Sequence, residues 1–227
     1  ASEEKVQTVI AETQAAQPTD TPTLEPSSTK TIRPSFTPRA TKTRILTHTP
    51  RPKNTATPIP DPVIITGSGD MVVDVQNPFD IAVVHITGNA GGHHFAVTSL
   101  NRDGEYNDLI VNTTEPYDGI RPLDFGDKKT ARFEVKAVGD WKIEILYVLE
   151  TTTLLLPGKL TGIGDNVIFL FGSPDTAHIT GNAEDHHFAV IGYGNSAKLL
   201  VNTTEPYDGT VLLEKSTVLL EIKATGG

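Results

Sequence analysis

From Val63 onward the apolar residues come in short runs broken by Gly, Asn, Asp and Pro. No segment there keeps a helical period over three turns. Short alternating runs bounded by turn formers are the signature of β-strands. The pattern predicts strands near Met71–Val75, Ile81–Thr87, His93–Leu100, Tyr106–Val111, Thr130–Lys136 and Trp141–Val148. It predicts a second series near Val167–Phe171, Ala177–Thr180, His186–Tyr193, Lys198–Val201 and Thr217–Lys223. Asp103-Gly104 suits a hairpin turn between two of them. Turns recurring about every 8–12 residues imply sandwiches or barrels of antiparallel strands. Gly67-Ser-Gly-Asp70 and Gly162-Ile-Gly-Asp165 each precede a strand and lack a third glycine, so neither reads as a dinucleotide-binding loop.

The two series are copies of one another. HITGNAGGHHFAV (His85–Val97) returns as HITGNAEDHHFAV (His178–Val190), identical at 11 of 13 positions. VNTTEPYDG at Val111–Gly119 returns unchanged at Val201–Gly209. A period near ninety residues means whole small domains rather than a short solenoid unit. The expected fold is therefore all-β: two tandem antiparallel β-sandwich domains (jelly-roll/Ig-like), 63–150 and 158–227, with the boundary around Pro157-Gly158. FEVKAVGD (Phe133–Asp140) aligns with LEIKATGG (Leu220–Gly227), after which the first copy continues as WKIEIL. The second copy is thus expected to lack its final strand, either because the sequence is a piece of a longer chain or because the domain keeps an open sheet edge.

If HITGNA–HHFAV is a hairpin turning at Gly88–Gly92, Ile86 faces Phe95 and Val84 faces Val97. His93 then sits at the core rim, and His85, Thr87 and His94 share the outer face. His85 and His94, and likewise His178 and His187, become diagonal neighbours about 7–8 Å apart. Two imidazoles suit Zn, Cu or Ni, but no third ligand is shared, because Gly91-Gly92 becomes Glu184-Asp185 in the second copy. Surface histidines forming hydrogen bonds are the simpler expectation, so no metal and no cofactor is expected.

In VNTTEPYDG, Pro-Tyr-Asp-Gly suits a turn whose tyrosine hydroxyl bonds back to backbone. The functional reading makes Asn112, Thr114, Glu115, Tyr117 and Asp118 a polar and aromatic ligand platform, with Asn202, Thr204, Glu205, Tyr207 and Asp208 as its twin. Sugars suit such a mixture, and two sites would give avidity. Asn112 and Asn202 also begin Asn-Thr-Thr sequons. Asn101–Asp108 has scattered carboxylates but does not meet the EF-hand spacing. No paired carboxylates, Ser-His-Asp set, HExxH or phosphate loop occurs in a supporting context, so the chain is read as a non-enzyme.

Charge and composition refine this picture. The chain carries 19 Lys and Arg against 28 Asp and Glu. The excess acid lies beyond residue 62, which argues against nucleic acid as a partner. Cysteine is absent, excluding disulfides and thiolate sites. No run of eighteen apolar residues is present, so no transmembrane helix is expected. Residues 1–16 have helix-forming composition and are expected as a short helical segment. Residues 17–62 hold 12 Thr and 10 Pro and read as an extended stalk, about 140 Å long at about 3.1 Å per residue. Because position 1 is Ala, an upstream signal or membrane tether is an expectation.

GSGDMVVDV, HITGNA–HHFAV, LIVNTTEPYDG and EVKAVGDWKIEI resemble an uncharacterised β-sandwich domain of bacterial surface and secreted proteins. That domain occurs singly or in tandem, often behind Thr/Pro-rich stalks. The GD start and the closing Gly-x-Trp strand are also similar to jelly-roll-like domains appended to secreted enzymes. The resemblance implies extracellular or cell-surface location and architecture, and no activity. The expected role is a non-catalytic interaction or display module whose partner is a cell-surface glycan, wall polymer or protein. The alternatives are a structural subunit assembling through an open sheet edge and an accessory domain of an extracellular hydrolase.

Overall fold

The computed structural model describes residues 59–183 and 186–225. The predicted N-terminal helix, the Thr/Pro-rich stretch up to residue 58, Glu184-Asp185 and the last two glycines lie outside the described residues. The described part is all-β, with one short 3-10 turn at Val148–Glu150. Its first eight strands are β1 (Val63–Ser68), β2 (Met71–Asp74), β3 (Ala82–Gly88), β4 (Phe95–Leu100), β5 (Tyr106–Thr113), β6 (Tyr117–Leu123), β7 (Arg132–Lys136) and β8 (Asp140–Tyr147). They are followed by β9 (Thr152–Leu155), β10 (Asn166–Phe171), β11 (Thr176–Gly181), β12 (Phe188–Tyr193), β13 (Ala197–Thr203), β14 (Tyr207–Leu212) and β15 (Leu219–Lys223). Every strand expected from the alternation is present within a few residues. The strands not anticipated are β1, β6, β9 and β14.

Four sheets result. The first has the order β1-β8-β3-β6, the second β2-β7-β4-β5, the third β13-β12-β15-β10-β9, and the fourth β11-β14. Pairing is antiparallel throughout, apart from the parallel β9–β10 pair. Two-residue alternation decides which side chains face inward. In β8, Trp141, Ile143 and Ile145 are buried, while Lys142 and Glu144 point the other way. The first sheet gives Val84, Ile86, Ile143 and Ile145 to a cluster completed by Phe95, Val97, Phe133 and Val135 of the second. Ile168, Leu170, Val190 and Leu220 of the third sheet share a smaller cluster with Ala177, Ile179 and Val211 of the fourth.

A third apolar layer joins the two copies. Val83 and Ile120 on the outer face of the first sheet meet Val167, Phe169, Leu219 and Tyr193 of the third. The substitutions between copies follow from that contact. In the first copy Asp74 and Arg132 form an exposed ion pair at 2.6 Å; their counterparts are Phe169 and fully buried Leu219. Conversely, fully buried Val83 corresponds to exposed Thr176, and half-buried Ile120 to exposed Thr210.

Charge crosses the same junction. Arg121 donates through Nε to Glu221 at 2.7 Å and through Nη1 to Asp165 at 3.2 Å. Tyr117 donates its hydroxyl to Asp165 at 2.8 Å, and Tyr193 donates to Glu221 at 2.6 Å. Glu221 is only 2% exposed. Asp165 also accepts the backbone N–H of Ala224, repeating the bond from Ala137 to Asp70 in the first copy. The GxGD aspartate is thus a latch on the residue that follows β7 in the first copy and β15 in the second.

Candidate functional site

The two repeated phrases lie against each other, and their contact defines the site. β3 belongs to the first sheet and β4 to the second, so residues 89–94 cross between sheets. The hairpin expected there is not formed. Both edges of β3 are occupied by β6 and β8, leaving β4 nowhere to pair within that sheet. β5 and β6 also lie in different sheets, and the bend falls at Thr114–Glu115 rather than at Pro-Tyr-Asp-Gly. Tyr117, Asp118 and Gly119 are strand residues. Two crossovers therefore run side by side at one corner.

Asn89 binds the crossovers together. Its φ of 62° is in the left-handed region, which Asn tolerates better than most residues. It accepts from the N–H of His93 at 2.8 Å and donates to the carbonyls of His93 and Glu115, the latter at 2.8 Å. Asn182, with φ 63°, donates to the Glu205 carbonyl at 2.9 Å in the second copy. Gly88 and Gly181 are required by the phenylalanine behind them: an added Cβ would lie 2.8 Å from Phe95 and 2.9 Å from Phe188. Replacing Asn89 by alanine is expected to cost about 2–3 kcal/mol. The change strands partly buried backbone groups of His93 and Glu115 and places alanine at positive φ. Denaturant midpoints of the two proteins measure that loss, and a loss under about 0.5 kcal/mol would show that the crossover stands without the clamp.

Around this scaffold the exposed polar side chains are pre-paired. His94 donates through Nε2 to Asn112 Oδ1 at 3.2 Å, and His187 likewise to Asn202 at 3.0 Å. His85 lies between two carboxylates, with Nε2 2.7 Å from Asp118 and Nδ1 3.1 Å from Glu144. His178 meets Asp208 at 3.3 Å and the Thr210 hydroxyl at 3.4 Å. The Glu144 carboxyl is held below its ordinary range, first by a hydrogen bond from Lys142 and also by the one from His85.

Of the predicted platform residues, Asn112, Thr114, Glu115 and Asp118 are exposed, as are Asn202, Thr204, Glu205 and Asp208. The tyrosines are placed differently. Tyr117 and Tyr207 are half-buried, with ring centroids 6.3 Å from Phe95 and 6.5 Å from Phe188. Each folds over the glycine two residues on, so that a Cβ at Gly119 or Gly209 would lie 2.7 Å from the tyrosine oxygen. The Tyr117 hydroxyl reaches Asp165 rather than backbone. The corner is therefore polar, with its aromatic rings turned inward.

The histidine pairs considered for metal are not cross-strand neighbours. His85 points outward from the first sheet and His94 precedes the first strand residue of β4 in the second, each with its own partners. Among the described residues no group of three or more His, Asp or Glu is placed to hold a metal ion. The carboxylates around His85 face its ring nitrogens rather than a common point.

Sequence reasoning missed Arg121, Asp165, Tyr193 and Glu221. For two of them the signal was a non-matching position: Arg121 stands where the second copy has Val211, and Tyr193 where the first has Leu100, whereas Asp165 and Glu221 match Asp70 and Glu134. Among the described residues no helix is long and apolar enough to cross a membrane. No protein-family model matches the chain, and no curated protein is significantly similar to it.

Proposed function

We propose that the chain is a non-catalytic interaction module, secreted or displayed on a cell surface. In this reading two tandem β-sandwich domains on a Thr/Pro-rich stalk present twin polar corners to a glycan or cell-wall polymer. One observation carries the reading. The same two exposed pairs, His94–Asn112 and His85–Asp118, recur as His187–Asn202 and His178–Asp208. Amide, carboxylate and imidazole groups held by one another lose little freedom when they bind, and they match the hydroxyls of a sugar. Two related sites on one chain favour a repeating polymer, because the second contact is intramolecular.

The test is retention of the full chain on a glycan array and on insoluble wall preparations. The double variant Asn112→Ala/Asn202→Ala is expected to lower retention by on the order of tenfold or more, beyond either single change, as avidity is lost. A full chain retained by no glycan and no wall fraction overturns the reading.

A further inference from the structure

Three connections are longer in the first copy than in the second. β2 and β3 are joined by residues 75–81, β4 and β5 by 101–105, and β6 and β7 by 124–131. The equivalent connections of the second copy, 172–175, 194–196 and 213–218, are each shorter by two or three residues. The three longer connections meet. Asn77, Arg102, Asp103, Asp127 and Lys129, drawn from all three, line one open cleft of about 650 Å³. That volume lies within the usual range of small-ligand sites, about 300–1,000 Å³. Asn107, Asp124, Lys128 and Thr130 line both the cleft and a smaller pocket of about 70 Å³ that reaches Tyr193.

Extra length alone implies no function, because surface loops lengthen at little cost. These loops, however, are braced against one another. Asp124 is 7% exposed and held at φ 60°. It accepts from the N–H and hydroxyl of Thr130 at 2.8 and 2.6 Å, and from the Asn77 amide at 2.9 Å. Lys128 donates to the Asn107 carbonyl at 2.8 Å, and the Asn107 amide donates to the Lys129 carbonyl at 3.2 Å. Asn101 closes its own turn by accepting the N–H groups of Asp103 and Glu105. In the second copy the counterpart of Asp124 is Glu214, which is exposed and 3.8 Å from Lys198. A buried carboxylate on a left-handed residue, tied to two loops, marks a shape that is built rather than slack.

What the bracing leaves over defines the ligand. Among the described residues, the side chains of Arg102, Asp103, Asp127 and Lys129 make no hydrogen bond or ion pair. Two are cations and two are anions. An anionic ligand would meet Asp103 and Asp127, and a cationic one would meet Arg102 and Lys129. A sugar hydroxyl both donates and accepts, so a neutral saccharide can use all four.

We propose that the three extended loops of the first copy form a binding cleft for a short neutral oligosaccharide. Arg102 and Lys129 donate to its oxygens, and Asp103 and Asp127 accept from its hydroxyls. Asp124 and Asn77 position the loops. The cleft lies on the β2–β3, β4–β5 and β6–β7 connections, whereas the twin corners lie on the β3–β4 and β5–β6 crossovers and their equivalents. The inference adds a second kind of site to the glycan reading and does not rest on the corners.

The test is calorimetric titration of the full chain with tetrasaccharides of glucose, mannose, galactose, xylose and N-acetylglucosamine, with amide NMR shifts followed in parallel. At least one is expected to bind one-to-one and to move the amides of residues 101–105 and 124–131. Arg102→Ala and Asp127→Ala, at unchanged thermal midpoint, are each expected to weaken that binding at least about tenfold, the loss of one hydrogen bond to a charged group. A chain carrying the sequence of residues 194–196 in place of 101–105 is expected to do the same. The Asn112→Ala/Asn202→Ala chain is expected to bind as the parent does. Binding by none of the five overturns the proposal, as does undiminished affinity in Arg102→Ala and Asp127→Ala. Loss of binding in Asn112→Ala/Asn202→Ala places the sugar at the corners and also overturns it. Binding of tetragalacturonate in preference to every neutral sugar overturns the neutral ligand.

Discussion

Replacing Arg121 by methionine is expected to lower the stability of the folded chain by about 3–5 kcal/mol, the usual cost of removing one partner from a buried ion pair. The guanidinium serves two carboxylates, Glu221 at 2.7 Å and Asp165 at 3.2 Å, with Glu221 almost wholly buried. Without it, both charges remain beside the apolar contact of Val83, Val167 and Leu219. The double variant Arg121→Met/Glu221→Gln removes the more deeply buried of the two stranded charges along with its partner, so it is expected to lose less than the sum of its single changes. Urea denaturation of the four proteins closes the cycle. A loss below about 1 kcal/mol for Arg121→Met, the range of exposed pairs, would mean that water reaches the carboxylates and that the apolar layer alone holds the junction.

The strands were legible because alternation is a local property. Apolar runs such as Phe133–Val135 or Trp141–Ile145 identify themselves without knowledge of their neighbours. Pairing is not local, and there the sequence misled. Gly88–Gly92 has the composition of a hairpin turn, yet β3 already has a partner on each edge, and one of them, β8, comes more than fifty residues later. β6 was hidden for a related reason, since Tyr-Asp-Gly reads as a turn until Tyr117 is seen to fold over Gly119. The corner's polar residues were legible only as neighbours in sequence, and the pairing of Asn112 with His94 and of Asp118 with His85 depends on the crossover. The junction could have been inferred from Asp74 and Arg132 becoming Phe169 and Leu219. Two positions turning apolar together on one face of a repeated sheet mark a face that has become covered.

That junction gives the chain an alkaline limit. Burial, reinforced by the charge of Asp165, pushes the Tyr117 phenol well above its ordinary value near 10. Burial and the charge of Glu221 do the same to Tyr193. In each case the folded state keeps a proton that the unfolded chain gives up. The stability tied to these protons is fully present below about pH 10. Above that pH the unfolded state binds fewer protons than the folded one, so stability falls with rising pH, by up to about 1.4 kcal/mol per pH unit for each tyrosine. The two together are expected to make the denaturant midpoint drop steeply between about pH 10 and 12, losing up to about 5 kcal/mol over that interval. Tyr193→Phe removes one titrating proton and the hydrogen bond to Glu221. Near neutrality it is expected to be less stable than the parent by about 1.5–3 kcal/mol, the range for a hydrogen bond to a charged group. Its alkaline slope should be about half as steep, so the two curves converge as pH rises. Denaturant midpoints collected across that range, with tyrosinate absorbance followed in parallel, read both quantities. Parallel curves for the parent and Tyr193→Phe would show that Tyr193 titrates alike in the folded and unfolded chains, and would remove the phenol from the buried network.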